Sequence, residues 1–446
     1  MGSRSYFVAA LWVLLGSSVH AQSLQQALAS AQARDPALQS ALAGRDAAEE
    51  NIRISRGRLL PQISFQDSRQ SINQTTTQDT VLGPQAREFT GQSYNRQLSL
   101  RQGLIRGRDW EGYSQSQYQA EYGEQKYLSA KADLWSRVTS SWLDLIAARQ
   151  LKAVYESTLQ SVTESAKQEA KRYERGDGTR DAKAEAQAQQ AQAQAMYTDA
   201  KLNLEARVRA YELLTGAVAA QVKAQRLPEE VLGPFAEADR AALWALIEAQ
   251  APELQIAILT EKVNLSRADQ AKYDHLPTLD FVASATHAQN DATNTLGYRY
   301  NNRQAGVVLQ VPIFSGGAVE GARKQAYSVY LGSVADRQSL MERMETQFTT
   351  DWAAQAGLRE RAGAARELIT AAMEQRRAID LGLKGGLRTW SDLGGADLLM
   401  ARRYTDWVNL QLSMLKTQAR ILSLAPVAIP QWEKFVLSLD AAVPVQ

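Results

Sequence analysis

The sequence predicts a mainly α-helical chain with a smaller β part, made of two copies of one unit in which a β-hairpin leads into a pair of long helices. Two phrases recur at one spacing. DPALQ at 35–39 returns as APELQ at 251–255, and LLPQISF at 59–65 returns as HLPTLDF at 275–281, each 216 residues later. After each second phrase, segments of period two give way to a long stretch without proline, the order expected of strands followed by helices.

The first 21 residues read as a signal peptide. Arg4 precedes an apolar core, Tyr6–Gly16, and Val19-His20-Ala21 places small residues at −3 and −1 of a cleavage site, giving a mature start at Gln22. The apolar run is shorter than the ~20 residues a membrane-spanning helix needs. The mature chain then divides into repeat 1 (22–216), a linker (217–236) with Pro228, Gly233 and Pro234, repeat 2 (237–424) and a tail (425–446).

Within each repeat, Pro36 and Pro252 suit the first turn of a helix reaching Arg58 or Asp274. Ile63 and Phe65, then Tyr94, Leu98, Leu100 and Leu104, alternate with polar residues. So do Leu279, Phe281, Ala283 and Ala285, then Ala305, Val307, Leu309, Val311 and Ile313. These are half-buried hairpins joined by polar loops. Gly107 to Gly316 is 209 residues, so repeat 1 holds seven extra residues, which belong in an exposed loop.

Long helices follow, over 108–175 and 322–383, each extending roughly 100 Å or slightly less at about 1.5 Å per residue. Leu128, Trp135, Val138, Trp142 and Leu145 form a seam of coiled-coil spacing on the first. Both helices end in glycine-containing turns, RGDGTRD with Gly176 and Gly178, and KGGLRTWSD, where Gly385 and Gly386 permit the positive φ needed to end the helix and reverse direction, before second helices over 181–215 and 391–423.

Composition limits function. The chain has no cysteine, a formal charge of +2 and three histidines, of which His275 and His287 follow the signal peptide. No metal-ligand spacing, phosphate loop or basic nucleic-acid stripe is present, so neither an enzyme nor a nucleic-acid binder is expected. Four strands cannot close a barrel, and an open edge in lipid leaves backbone groups unsatisfied. Several chains must pool strands if these hairpins cross a membrane; three would give 12, an even number suited to an outer-membrane barrel. An adhesive or structural coiled-coil protein of the cell surface is the alternative from another class.

The two LP turns, VPIFSGGAVEGARKQA and KGGLRTWSDLGGAD, together with the duplication, resemble the TolC family of outer-membrane channel-tunnels over about 23–424. The resemblance implies a trimeric 12-stranded outer-membrane barrel continued by a periplasmic α-helical tunnel. Pro61, Pro277, Pro312, Gly107 and Gly316 would then mark barrel-to-tunnel turns. It implies outer-membrane lipid, a periplasmic adaptor and an inner-membrane ABC transporter or proton-driven pump as partners of a homotrimer, with no cofactor. It also places Asp392 and Arg388 at the periplasmic constriction, the aspartate in an acidic ring and the arginine in a pairing network. Leu383 stands where the family has a tyrosine, Gly395 where it has a further aspartate, and Ala182, preceded by Asp181, where it has an aspartate in the first repeat. Arg388 therefore pairs with Asp181 or with nothing on that helix, and Ser391 and Asp392 equally suit a helix N-terminus. GDGTRDAKAEAQAQQAQAQ is similar to the tip of members serving type I protein secretion, and the missing lipidation cysteine points the same way; small-molecule efflux is the alternative cargo.

Overall fold

The computed structural model describes residues 23–222, 226–227, 240–290, 298–425 and 430–441. The signal peptide lies outside them, as does most of the 217–236 linker. The chain divides into two units, one formed by 1–36, 132–243 and 348–446, the other by 37–131 and 244–347.

Element order repeats. Helices α1 (Leu24–Arg34) and α2 (Pro36–Leu59) precede strands β1 (Gln62–Thr80) and β2 (Gly83–Ile105), then helices α3 (Gly107–Glu174) and α4 (Arg180–Thr215). Helices α5 (Arg240–Gln250) and α6 (Pro252–Tyr273), strands β3 (Thr278–Asn290) and β4 (Tyr298–Gln310), and helices α7 (Ala318–Lys384) and α8 (Trp390–Ser423) follow in the same order. Pro36 and Pro252 open α2 and α6, and each closes the short helix before it, because the residue preceding proline is pushed out of the helical region; Asp35 and Ala251 are extended. Those short helices, α1 and α5, are additions to the sequence reading.

In the second unit, β1 to β4 form one antiparallel sheet in sequence order. The seven extra residues of repeat 1 are not a loop. They lengthen β1 and β2 to 19 and 23 residues, and only Val81 and Leu82 lie between the paired Thr80 and Gly83. A polar run rich in Thr and Gln can extend a ladder, since each added pair satisfies its own backbone groups. The loop of the second hairpin, 291–297, lies outside the described residues. Gly107 opens α3 where a Cβ would come 2.5 Å from the Tyr273 ring of α6, so a close approach of helices requires glycine there.

In the first unit, α3 is buried nearly all round at 142–150 rather than along a single seam: Trp142, Leu143, Leu145, Ile146, Ala147 and Ala148 are all buried. Arg149 donates to the carbonyls of Ala219 and Val222, and Gln150 accepts from the Leu227 N–H and donates to the Tyr404 hydroxyl. The tail contains helix α9 (Pro430–Ala441), whose Trp432 stacks on Trp135 at 5.6 Å with an 11° tilt between rings, while Phe435 and Leu439 are fully buried. Trp432→Ala should cost about 3 kcal/mol from lost burial and the cavity left behind. Hydrogen exchange should show α9 and the Trp135 turn of α3 opening together, with the sheet amides unchanged.

Candidate functional site

The sheet has two chemically distinct faces, legible row by row across its four strands. On one face the rows are Ile105–Leu279–Leu309, Gln102–Phe281–Val307, Ile63–Leu100–Ala283–Ala305 and Phe65–Leu98–Ala285–Arg303. The other carries Ser64–Ser99–Ser284–Gln304 and Gln66–Gln97–Thr286–Asn302. Ile63 and Phe65 are each 68% exposed, so the apolar face lacks a partner among the described residues. An apolar surface of that extent needs a non-aqueous neighbour. A register shift between Gly103 and Ile105 makes Leu104 the extra residue, so Ile105 instead of Leu104 takes the apolar-facing place. Gln102, the one polar group in those first three rows, donates to the Leu59 and Gly103 carbonyls.

At the base of the polar face, Asp280 is 5% exposed and clamped by two arginines. Arg101 Nη2 lies 2.6 Å from Oδ2 and Arg106 Nε 2.6 Å from Oδ1. Beside it Arg108 donates to Asp274 at 2.8 Å, and Arg101, Arg106, Arg108 and Asp274 line a cavity of about 330 Å³ with Pro277 and Pro312. The position equivalent to Asp280 in repeat 1 is Ser64. The clamp holds the end of β2 to the start of β3, and so fixes where both strands leave the sheet.

The two glycine turns close their helices with the same pair of hydrogen bonds. Leu387 N–H donates to the Gly382 carbonyl at 2.8 Å and Gly386 N–H to Leu383 at 3.1 Å; Asp177 N–H donates to Arg172 at 3.0 Å and Gly176 N–H to Tyr173 at 3.0 Å. This Schellman arrangement needs a left-handed residue after the cap, supplied by Gly386 (φ 75°) and Gly176 (φ 84°). Gly385 is not at positive φ, correcting the expectation that both glycines serve this purpose; its counterpart in repeat 1 is Arg175. Two residues on, the copies differ. A Cβ on Gly178 would meet the backbone of Tyr173 at 2.9 Å, whereas in repeat 2 the equivalent residue is Arg388, whose Cγ lies 2.8 Å from where a Cβ on Gly382 would stand, so glycine at 382 leaves room for the Arg388 side chain.

Thr389, not Ser391, caps α8. Its hydroxyl accepts from the Asp392 N–H at 3.1 Å, and Asp392 Oδ2 accepts from the Thr389 N–H at 2.8 Å, a complete capping box. In repeat 1 Thr179 accepts from the Ala182 N–H at 3.2 Å, but Ala182 has no side chain to return the bond. Ser391 is buried and accepts from Gln189 of α4. Arg388 and Asp181 are exposed, Leu383 is half-buried, and among the described residues no ion pair joins Arg388 to Asp181.

The profile of the outer membrane efflux protein family matches residues 27–217 and 243–425. The chain belongs to that family. It is 24% identical over 431 residues to the proteases secretion protein PrtF of Dickeya chrysanthemi, spanning 95% of this chain and 90% of that protein. It is 27% identical over 325 residues to the alkaline protease secretion protein AprF of Pseudomonas aeruginosa, spanning 72% and 67%. The fold matches that of the outer membrane protein VceC of Vibrio cholerae with a TM-score of 0.75 at 15% identity, over 90% of this chain and 96% of that one.

Family membership makes this an outer-membrane protein of channel-forming fold, and no described helix is long and apolar enough to cross a membrane. Sequence reasoning missed three polar residues that hold the two helix pairs together. Glu169 of α3, 1% exposed, accepts from the Trp390 N–H at 3.1 Å, and so receives one of the orphan donors at the start of α8. Asp397 of α8 pairs with Arg376 of α7 and accepts from Ser161 of α3. Asp397 carried a signal: an acid among Leu393, Ala396, Leu398 and Ala401, all buried, is costly unless paired.

Gly386→Ala should destabilise the α7–α8 turn by about 1 kcal/mol or more, because alanine is strained at positive φ. Gly385→Ala should be neutral or slightly stabilising. Denaturant midpoints of the two variants should therefore move apart; equal loss at both sites would contradict the turn geometry.

Proposed function

We propose that this chain forms the outer-membrane exit duct of a tripartite export system, with a polypeptide as cargo and an inner-membrane ABC transporter as motor. The observation that carries the duct is the two-faced sheet with open edges at β1 and β4. A single chain leaves both edge ladders unsatisfied in lipid, and three chains with four strands each close a ring of 12 with apolar residues outward and Ser, Gln and Asn inward. The helices continue the ring into the periplasm, where an adaptor joins them to the motor. Polypeptide cargo is supported by PrtF and AprF, both named for protease secretion. The family's description as efflux proteins supports small-molecule export as the second reading, driven by a proton-coupled pump.

In this reading the α7–α8 turn narrows the duct. Asp392 recurs three times around the axis, and a ring of carboxylates favours cations. Arg388 is exposed beside it, and Leu383 and Asp181 complete the constriction without the hydrogen-bonding pair expected of a tyrosine and its partner. The capping box and the ring use one carboxylate for two purposes. Its lone pairs that face Thr389 hold the helix end, while its charge acts on the lumen.

Single-channel recordings in planar bilayers separate the two purposes. Asp392→Asn keeps an acceptor for the cap but removes the charge, so cation preference should fall while the unfolding midpoint moves by no more than about 0.5 kcal/mol. Unchanged selectivity would reduce Asp392 to a cap, and absence of channels from folded wild-type protein would remove the duct itself. Cargo is tested by deletion in the native host. Loss of an extracellular polypeptide with unchanged sensitivity to small toxic compounds supports protein export, and the reverse pattern supports efflux.

A further inference from the structure

The lipid-facing side of the sheet changes character abruptly at the end remote from α2 and α3. Beyond the apolar rows come Arg303, then Asp67–Arg96–His287–Asn301, then Arg69–Tyr94–Gln289–Arg299. Four arginines and one aspartate thus occupy three consecutive rows. The next charged residue on this face of β1 and β2 is Glu88, three rows further on. The opposite boundary of the apolar band has no such cluster: Leu279 and Leu309 lie there, followed by the exposed Ile313 and Phe314.

Asp67 offsets only part of this patch. It forms loose ion pairs with Arg96 Nε and Arg69 Nη2, 3.7 and 3.6 Å from its Oδ2 and beyond hydrogen-bonding distance, the two arginine side chains remain 54% and 63% exposed, and one carboxylate cannot balance four guanidinium groups. Arg299 and Arg303 are exposed as well. Arg69 and Arg96 are diagonal neighbours on adjacent strands, about 7–8 Å apart and able to grip one phosphate between two forks. Arg303 lies two strands and one row from Arg96, roughly 12 Å away by strand and residue spacing, which suits a second phosphate. The side chains filling the space between, His287 and Asn301, suit sugar hydroxyls rather than acyl chains.

We infer that Arg69, Arg96 and Arg303 form a docking site for the phosphorylated sugar head group of an outer-leaflet glycolipid. The assignment rests on the proposed orientation, with the helices in the periplasm, which puts this end of the band at the outer leaflet. Charge complementarity selects an anionic head group, and two separated cationic points with hydroxyl-binding groups between them select a diphosphorylated sugar over a glycerophospholipid. Bidentate guanidinium–phosphate bonds anchor the lipid, and the apolar rows below receive its acyl chains.

The test is lipid retention by purified full-length protein in a non-ionic detergent, read by native mass spectrometry. The probes are diphosphorylated lipid A, its dephosphorylated form and phosphatidylglycerol. Wild type should retain diphosphorylated lipid A roughly tenfold better than either other lipid, a preference that the charge-assisted bonds supply. The variant R69Q/R96Q/R303Q should lose that preference, R69K/R96K/R303K should keep part of it, and R53Q on α2 should keep all of it. Equal retention of lipid A by wild type and R69Q/R96Q/R303Q would overturn the site. Phosphatidylglycerol held as well as lipid A would overturn the glycolipid assignment. Planar-bilayer conductance of the same samples separates the two levels: conducting protein without lipid preference refutes this inference alone, whereas non-conducting wild type refutes the duct beneath it.

Discussion

Backbone hydrogen bonding in lipid is the constraint on which the structure depends. Every N–H and C=O of a membrane-embedded strand must find a partner, and each one left open costs several kcal/mol. Here β2 and β3 are paired on both sides while β1 and β4 are paired on one. The apolar face rules out simple solvation of the sheet, and the polar face rules out burying it in a second apolar layer. In the proposed duct both edges meet strands from other chains. From this follows the placement of the rest: the helices leave from one end of the sheet, and Asp280, held by Arg101 and Arg106, fixes the corner between β2 and β3. The buried Asp280 carboxylate is tolerated at that corner because two guanidinium groups pair with it, and Arg106 has Asp109 as a second partner at 3.6 Å.

The duplication shows how one backbone solution is kept while its chemistry diverges. Both helix reversals use the same two closing hydrogen bonds and a left-handed glycine. Around that shared frame, arginine and glycine stand in exchanged places, Arg172 and Gly178 in one copy against Gly382 and Arg388 in the other, and the Arg388 side chain lies over Gly382. The exchange moves an arginine from the helix onto the turn. Ala182 against Asp392 adds the only carboxylate at that position of the pair. The second turn alone therefore presents a cation and an anion four residues apart, and the two helix pairs are unequal for that reason.

Much of this was legible in the sequence because the signals are local. Prolines open the helices that precede the strands, period two marks the strands, and proline-free tracts mark the long helices, so this repeated order and most of the alternating faces were readable from residue types alone, whereas α1, α5 and α9 were not. What escaped depends on partners distant in sequence. Glu169 meets the Trp390 N–H across 221 residues, and Ser161 meets Asp397 across 236. Nothing in the neighbourhood of Glu169 distinguishes it from the solvated acids of the same helix. The bulge at Leu104 escaped because alternation was read through it without a break. Gly385 was over-interpreted for the opposite reason: two adjacent glycines look alike in sequence, and only the hydrogen bonds show which one occupies the left-handed position.

The most direct test of the account is the mass of the detergent-extracted protein, measured together with amide exchange along β1 and β4. Native mass spectrometry should give three chains per particle, and the outward-pointing backbone amides of both edge strands should be as protected as those of β2 and β3. A conducting particle of one chain, or edge amides exchanging freely in an intact assembly, would contradict the claim that chains pool their strands into a single closed barrel.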